Sequence, residues 1–402
     1  MKKGWPTKTL AEVCQIKPPK SEAREKVPAS SPVSFVPMED LGIDVKFVQA
    51  TQTKPLSAVV GSYTYFADGD VLLAKITPCF ENGKLGIADG LRNGIGFGSS
   101  EYFVFRPDAT VSKEWLYYFF SRETFRIEGA ARMTGAVGHK RVSKEFIEDY
   151  PIPVPPLAEQ QRIVGLLDEA FEGLATAKAN AEKNLQNARA LFESHLQSVF
   201  TQRGKGWVET TIGAEIKFID YRGKTPVKTS SGVRLITAKN VKMGYLQESP
   251  MEFIAAASYK GWMTRGIPQK GDVLFTTEAP LANVAQLDTD EKVAFAQRII
   301  IMQPNAARLD STFLKYLLLS QPVQQRIRTK GTGATVQGIK ASLLKLIEIS
   351  FPKSLATQEE IVSKLGDLHE ETQRLARLYS RKLAALEALK KSLLHQAFTG
   401  EL

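Results

Sequence analysis

A single pattern is written twice along this chain, so whatever it folds into must be built in duplicate. Gly4-Trp5 recurs as Gly206-Trp207 and Gly69-Asp70-Val71-Leu72 as Gly271-Asp272-Val273-Leu274, both at an offset of 202. Phe35-Val36-Pro37-Met38-Glu39-Asp40 aligns with Leu235-Ile236-Thr237-Ala238-Lys239-Asn240 at an offset of 200. From Thr134-Gly135-Ala136 against Thr332-Gly333-Ala334 an offset of 198 holds without a gap, through Gln160 and Gln358, to Phe200-Thr201 and Phe398-Thr399. Similarity is thin elsewhere, so the halves share a scaffold but not a surface.

Each half has two textures. Its first 150 or so residues carry short β-rich runs such as Gly69–Ala74 and Tyr102–Phe105 between Gly, Asn and Pro turn signals, with helical stretches near Trp115–Ile127 and Phe313–Ile327. That reads as a mixed α+β domain. The second texture begins after the prolines Pro151-Ile152-Pro153-Val154-Pro155-Pro156 and Phe351-Pro352, which exclude helix upstream and permit it just after. Apolar or small residues then fall at Ile163, Leu167, Ala170, Leu174, Ala177, Ala181, Ala188, Leu191, His195 and Val199, in steps of three and four apart from Asn184. Ile361, Leu365, Leu368, Thr372, Leu375, Tyr379, Leu386, Leu389 and Leu393 repeat the pattern. This is a heptad seam on a rod of about 43 residues, on the order of 65 Å long, and it needs another helix to cover it. The duplicate helix is the nearest partner, giving an intramolecular antiparallel coiled coil; pairing in a homo-oligomer is the alternative. The expected segments are 1–156, 157–203, 204–354 and 355–402: mixed domain, long helix, mixed domain, long helix, with the halves related by an approximate twofold axis.

The excess of positive charge is local. Residues 204–354 hold 21 Lys+Arg against 12 Asp+Glu, whereas residues 1–156 hold 20 against 18, which points to a polyanionic partner. No run of about 18 uncharged apolar residues occurs, so a membrane span is not expected. Cys14 and Cys79 alone make neither a disulfide framework nor a four-ligand zinc site, and a cytoplasmic location fits. Two unequal domains on a paired-helix ruler suit unequal half-sites on DNA, because dimeric readers place equivalent units at a separation set by protein geometry.

Pro153-Val154-Pro155-Pro156-Leu157-Ala158-Glu159-Gln160-Gln161-Arg162-Ile163-Val164 resembles the start of the central helix in specificity subunits of type I restriction-modification systems. Gly271–Leu274, Asp220–Pro226 and Ile76–Lys84 are similar to segments of that family's target-recognition domains, and Phe398-Thr399-Gly400-Glu401-Leu402 to its usual ending. Thr357 stands where the first copy has Glu159, and fewer prolines precede it. The resemblance implies a non-catalytic subunit whose two target-recognition domains grip a bipartite, asymmetric site on double-stranded DNA. Two methyltransferase subunits would dock on it, and two restriction/translocase subunits can join. S-adenosylmethionine, ATP and magnesium would belong to those partners, with no cofactor in this chain.

The residues agree with an absence of chemistry. The Pro-Pro pairs Lys17-Pro18-Pro19-Lys20 and Val154-Pro155-Pro156-Leu157 lack the acceptor and ring that an amino-methyltransferase presents to a flipped base. Gly94–Gly98 leads into a strand rather than a helix, and Gly333–Gly338 lacks the Gly-Lys-Ser/Thr of a phosphate loop. His139, His195, His369 and His395 have no metal-binding spacing. The candidate DNA contacts are Lys75, Asn82 and Lys84 beside a Thr-Pro turn, and His139, Lys140 and Arg141 after a glycine turn. In the second half they are Arg222, Lys224, Lys239, Asn240, Arg298, Lys330 and Lys340. Gln160, Gln161, Arg162, Gln358, Glu359 and Glu360 are the candidate partner face at the duplicated helix starts. A scaffold without a nucleic-acid role, and an autonomous nuclease or methyltransferase, are the rival readings.

Overall fold

Proline sets where the long helices begin. Leu157–Thr201 follows Pro155-Pro156 directly and Leu355–Thr399 begins three residues after Pro352; each is a continuous α-helix of 45 residues, roughly 67 Å at 1.5 Å per residue. The computed structural model describes residues 5–221, 225–296, 298–333 and 337–402. It divides into unit 1, Met1–Glu182 with Arg381–Leu402, and unit 2, Lys183–Ser380. The expected segment boundaries at 156/157 and 354/355 are thus helix starts, while the units are bounded inside the helices. The cause is packing: Leu394, Ala397 and Phe398 belong to the core around Trp115, and Leu196 and Phe200 to the core around Phe313.

In unit 1 an antiparallel sheet runs in the order Cys14–Ile16, Tyr102–Pro107, Val71–Ala74, Leu85–Ile87. A second sheet, ordered Gln52–Pro55, Pro32–Val36, Ile95–Gly98, Thr64–Ala67, has its central pair parallel. The ribbon Thr7–Thr9 with Pro151–Pro153 brings the domain's chain ends together. Helix Lys113–Phe120 buries six consecutive side chains from Trp115 to Phe120, and Ser112 caps it by accepting the Trp115 amide at 3.0 Å. Trp115 meets the Phe398 ring at 4.3 Å, so the domain's largest fully buried side chain is covered by the second long helix.

Unit 2 repeats the plan with the sheet Ile216–Asp220, Ile299–Pro304, Val273–Thr276, Val284–Gln286 and the ribbon Trp207–Thr211 with Glu348–Pro352. Its other sheet is ordered Lys228–Thr229, Glu252–Ile254, Val233–Ile236, Val293–Phe295, again with one parallel pair. Asp310 caps helix Ser311–Leu319 as Ser112 does in unit 1. The repeated Gly-Asp-Val-Leu is a turn followed by a central strand. Gly69 and Gly271 hold φ of +90° and +93°, a region that only glycine adopts cheaply.

Within each unit the two helices run antiparallel. Arg162 donates to the Leu402 carbonyl at 2.8 Å while Lys178 faces Glu387 at 3.9 Å in unit 1; in unit 2 Phe192 packs on His369 at 4.7 Å. The seam differs from the periodic expectation in its last turns. Leu191 and Leu389 are about half exposed, and His195 is also outward; Leu196, Phe200, Leu394 and Phe398 point inward instead. There the helix answers to the adjacent domain core as well as to its partner helix, which shifts the buried face by one residue.

Candidate nucleic-acid interface

Where the central strand Val71–Ala74 ends, the chain is stitched to the glycine loop. Lys75 N–H donates to the Glu101 carbonyl at 2.9 Å, Val142 N–H to the Lys75 carbonyl at 3.0 Å, and Thr77 N–H to the Lys140 carbonyl at 2.9 Å. Thr134 and Arg141 exchange both backbone bonds, closing the loop between them. Gly135 is required there, since a Cβ would meet the His139 carbonyl oxygen at 2.9 Å. Unit 2 makes the same stitches: Thr277 N–H to Arg298 at 2.9 Å, Ile339 N–H to Thr277 at 2.9 Å, and Thr332 exchanging bonds with Gly338. Both domains therefore present one loop cluster on one scaffold, and its side chains differ at three of the stitched positions. Lys75 corresponds to Thr277, Glu101 to Arg298 and Arg141 to Gly338.

The candidate residues divide by what already holds them. Asn82, His139 and Lys140 are exposed in unit 1, as are Lys239, Lys330 and Lys340 in unit 2. Arg141 is engaged, giving Glu101 two bonds at 2.9 and 2.8 Å, and Arg298 pairs with Glu278 at 3.0 Å. Lys84 donates to the Met38 carbonyl at 2.7 Å and so holds a turn rather than facing outward. Asn240 is a correction. It is 1% exposed, its carbonyl oxygen accepts from Thr237, and its amide donates to the Gln247 and Pro250 carbonyls at 3.0 Å, so it organises its own loop and has no free edge to offer a base. Arg222 and Lys224 lie outside the described residues.

Lys75 and Arg141 meet in a cleft of about 440 Å³ that opens between the two sheets of unit 1. Residues that sequence reasoning passed over complete it: Lys17, Lys20 and Lys144, with the half-buried rings of Tyr63 and Phe103. Among the described residues lining it there is no carboxylate. Burial lowers the Lys75 ammonium from the usual lysine range; Glu101 pulls it back up, and Lys17 and Arg141 depress it further. Burial likewise lowers Lys20, with Lys17 and Arg24 adding to the effect. Lys17-Pro18-Pro19-Lys20 was the available signal, two cations on a rigid turn. Read for methyltransferase chemistry it says nothing.

The duplicated helix starts are also partly a correction. Gln160 and Gln358 are fully buried, fastened to their own domains, and are no outer face. Gln161, Arg162, Glu359 and Glu360 are exposed; Arg162 pairs with Glu159 at 2.7 Å and Glu360 with Lys364 at 2.6 Å. Among the described residues no group of three or more His, Cys, Asp or Glu side chains is arranged to hold a metal, and no helix is long and apolar enough to cross a membrane.

This duplicated architecture coincides with a known domain: residues 2–185 and 255–380 match the type I restriction modification DNA specificity domain. The chain belongs to that family. It is 39% identical over 162 residues to the EcoAI specificity subunit of Escherichia coli and 40% over 163 residues to the EcoEI specificity subunit of the same organism. Each match covers 40% of this chain and 27% of the relative, so the chain spans about a quarter of those proteins. The EcoKI specificity subunit of E. coli K12 is 21% identical over 357 residues, covering 82% of this chain and 76% of that protein. Among solved structures, the HsdS subunit from Thermoanaerobacter tengcongensis matches with a TM-score of 0.69 at 18% identity, covering 100% of this chain and 98% of that one. A chain from a study of complex assembly and conformational transition of the type I R-M system matches with a TM-score of 0.78 at 19% identity, covering 100% and 99%. These likenesses are of fold. The specificity-family domain thus occurs twice here, each copy with its own loop chemistry.

Proposed function

We propose that this chain is the DNA-reading subunit of a type I restriction-modification assembly, with its two domains each reading one part of a bipartite, asymmetric site in double-stranded DNA. The observation that carries this is the duplicated loop cluster bearing unlike side chains, Lys75, Glu101 and Arg141 in one copy against Thr277, Arg298 and Gly338 in the other. One scaffold with two surfaces is what two different half-sites require, since base edges are discriminated by side-chain donors and acceptors. The long helices set the gap between the half-sites and dock two methyltransferase subunits; two restriction/translocase subunits can join. Leu191 and Leu389, exposed at equivalent positions 198 residues apart, support docking of two copies of one partner. The subunit itself is non-catalytic and cytoplasmic, and S-adenosylmethionine, ATP and magnesium serve the partners.

Co-expression with an adenine-methyltransferase subunit, followed by genome-wide mapping of N6-methyladenine, tests the reading. One bipartite motif with a fixed gap is expected, and replacing residues 1–156 by another family member's domain changes one half of it only. A stable complex that leaves no methylated motif would overturn it.

A further inference from the structure

Among the described residues, unit 2 does not repeat the basic cleft of unit 1; the register counterpart of Lys20, Arg222, lies outside them. By strand register and loop pairing, Lys17 is replaced by Ile219, Lys75 by Thr277, Phe103 by Ile300 and Arg141 by Gly338. The scaffold therefore does not need this chemistry: the second copy folds with buried aliphatic residues at two of these positions. Four lysines line the first copy without a lining carboxylate among the described residues; Lys144 pairs with Glu148, and burial opposes the charge of Lys20 and Lys75. Arg141 has its charge met by Glu101, and Lys20 donates to the Gly61 carbonyl at 3.0 Å. Lys75 lies 5.7 Å from the centre of the Phe103 ring.

We propose that this cleft is a nucleotide site, in which Lys17, Lys20 and Lys75 hold a phosphate and the rings of Tyr63 and Phe103 border the base. Each half of the ligand has its reason. A phosphate brings negative charge to a lining that has none among the described residues, Glu101 acting on Lys75 from outside it, and every nucleobase offers a flat face for which aromatic side chains are sequence-tolerant platforms. A volume near 440 Å³ lies in the range of small-ligand sites. The same chemistry has two sources, a nucleotide of a DNA strand or a free nucleotide, and the choice of a nucleic-acid ligand rests on the DNA-reading function proposed above. Because unit 2 replaces Lys17, Lys75, Phe103 and Arg141 by uncharged, non-aromatic residues, one bound nucleotide per chain is expected.

The test uses the full chain with dTMP, inorganic phosphate and single-stranded dT12 as probes, with binding followed by phosphorus NMR and equilibrium dialysis at low salt. The expected result is saturable binding of one dTMP, with inorganic phosphate at least tenfold weaker. Lys75→Met should weaken dTMP and phosphate alike by tenfold or more, whereas Phe103→Leu should weaken dTMP and leave phosphate unchanged. Circular dichroism melting confirms that both variants are folded, and Thr277→Ala in unit 2 serves as a control that changes nothing. Displacement of dTMP by dT12 identifies a strand nucleotide as the ligand, and dTMP binding without displacement a free one. Phosphate binding as tightly as dTMP, or dTMP binding indifferent to both variants, overturns the proposal. The methylation map decides the DNA-reading function separately, so either can fail while the other stands.

Discussion

Gln160 and Gln358 make the same three hydrogen bonds in two different domains. The Gln160 side-chain oxygen accepts the Ser112 amide at 2.9 Å, and its nitrogen donates to the Thr110 and Pro155 carbonyls at 2.8 Å. Gln358 accepts the Asp310 amide at 2.9 Å and donates to Arg308 at 2.8 Å and Pro352 at 2.7 Å. Each side chain thereby ties the start of a long helix to the cap of the aromatic helix in its own domain. Truncation would leave buried backbone groups unpaired, each costing about 1–3 kcal/mol. Gln160→Ala should destabilise unit 1 by on the order of 2–4 kcal/mol, with faster hydrogen exchange at Ser112 and the following turn and little change in unit 2. Unaltered exchange there would show that the helix start is held by other contacts.

The buried carboxylates of the repeated Gly-Asp turn are satisfied differently. Asp70 receives two bonds from Arg106, at 2.7 and 2.9 Å, and one from the Ala67 amide at 2.8 Å. Asp272 has the neutral Gln303, the register counterpart of Arg106, at 2.8 Å, and the Gln269 amide at 2.8 Å. Arg106→Gln imports the unit 2 solution into a site where Asp70 is fully buried and where Glu22 also loses its cation. Removing one partner of such a pair costs on the order of 3–5 kcal/mol, more than removing both. Unit 1 should therefore lose stability in urea titrations of Arg106→Gln and recover much of it in the double variant with Asp70→Asn. Equal stability of the single variant and the native chain would mean that the charge is dispensable.

His369 gives unit 2 a pH dependence. Its ring packs at a tilt against Phe192; burial, then the nearby Lys315, lowers its affinity for a proton below the ordinary value of 6.5, with Glu370 opposing. A histidine depressed in the folded state is protonated more readily when unfolded. Its contribution to stability is thus present above about pH 6.5 and is lost as pH falls from there towards the folded value. His369→Gln should flatten the loss of thermal stability of unit 2 between pH 7.5 and 5.5. The same slope in the variant would assign the dependence to other groups.

What could be read from the residues alone was whatever is local or periodic. Prolines and a heptad pattern gave two long helices beginning at Leu157 and Leu355, and the repeat gave the duplicated mixed domains. Contacts between distant segments were not legible. Nothing near Gln160 in sequence says that Thr110 and Ser112 will bury it, and nothing near Arg141 announces Glu101 as its partner. Asn240 matched the composition of a base-reading loop, yet an Asn that can bond its own backbone is as well suited to building that loop. Lys17, Tyr63 and Phe103 form one cleft only because two sheets bring together strands far apart in the chain.

The last turns of the seam, where the heptad expectation failed, bear on assembly. Leu191 is 52% exposed in unit 2 and Leu389 47% in unit 1, while their neighbours Phe192 and Lys390 turn towards the units they belong to. An exposed leucine alone is ordinary, but the same one at both copies of a duplicated helix is a repeated apolar contact of the kind two identical partners would share. Charge at either position would have to be buried against that partner. Leu191→Glu is expected to weaken docking of one methyltransferase subunit at least tenfold, about 1.4 kcal/mol, and Leu389→Glu that of the other. Native mass spectrometry of the co-expressed complex would then count one methyltransferase in each single variant and none in the double. Two subunits retained by the double variant would place the docking surface elsewhere on the chain.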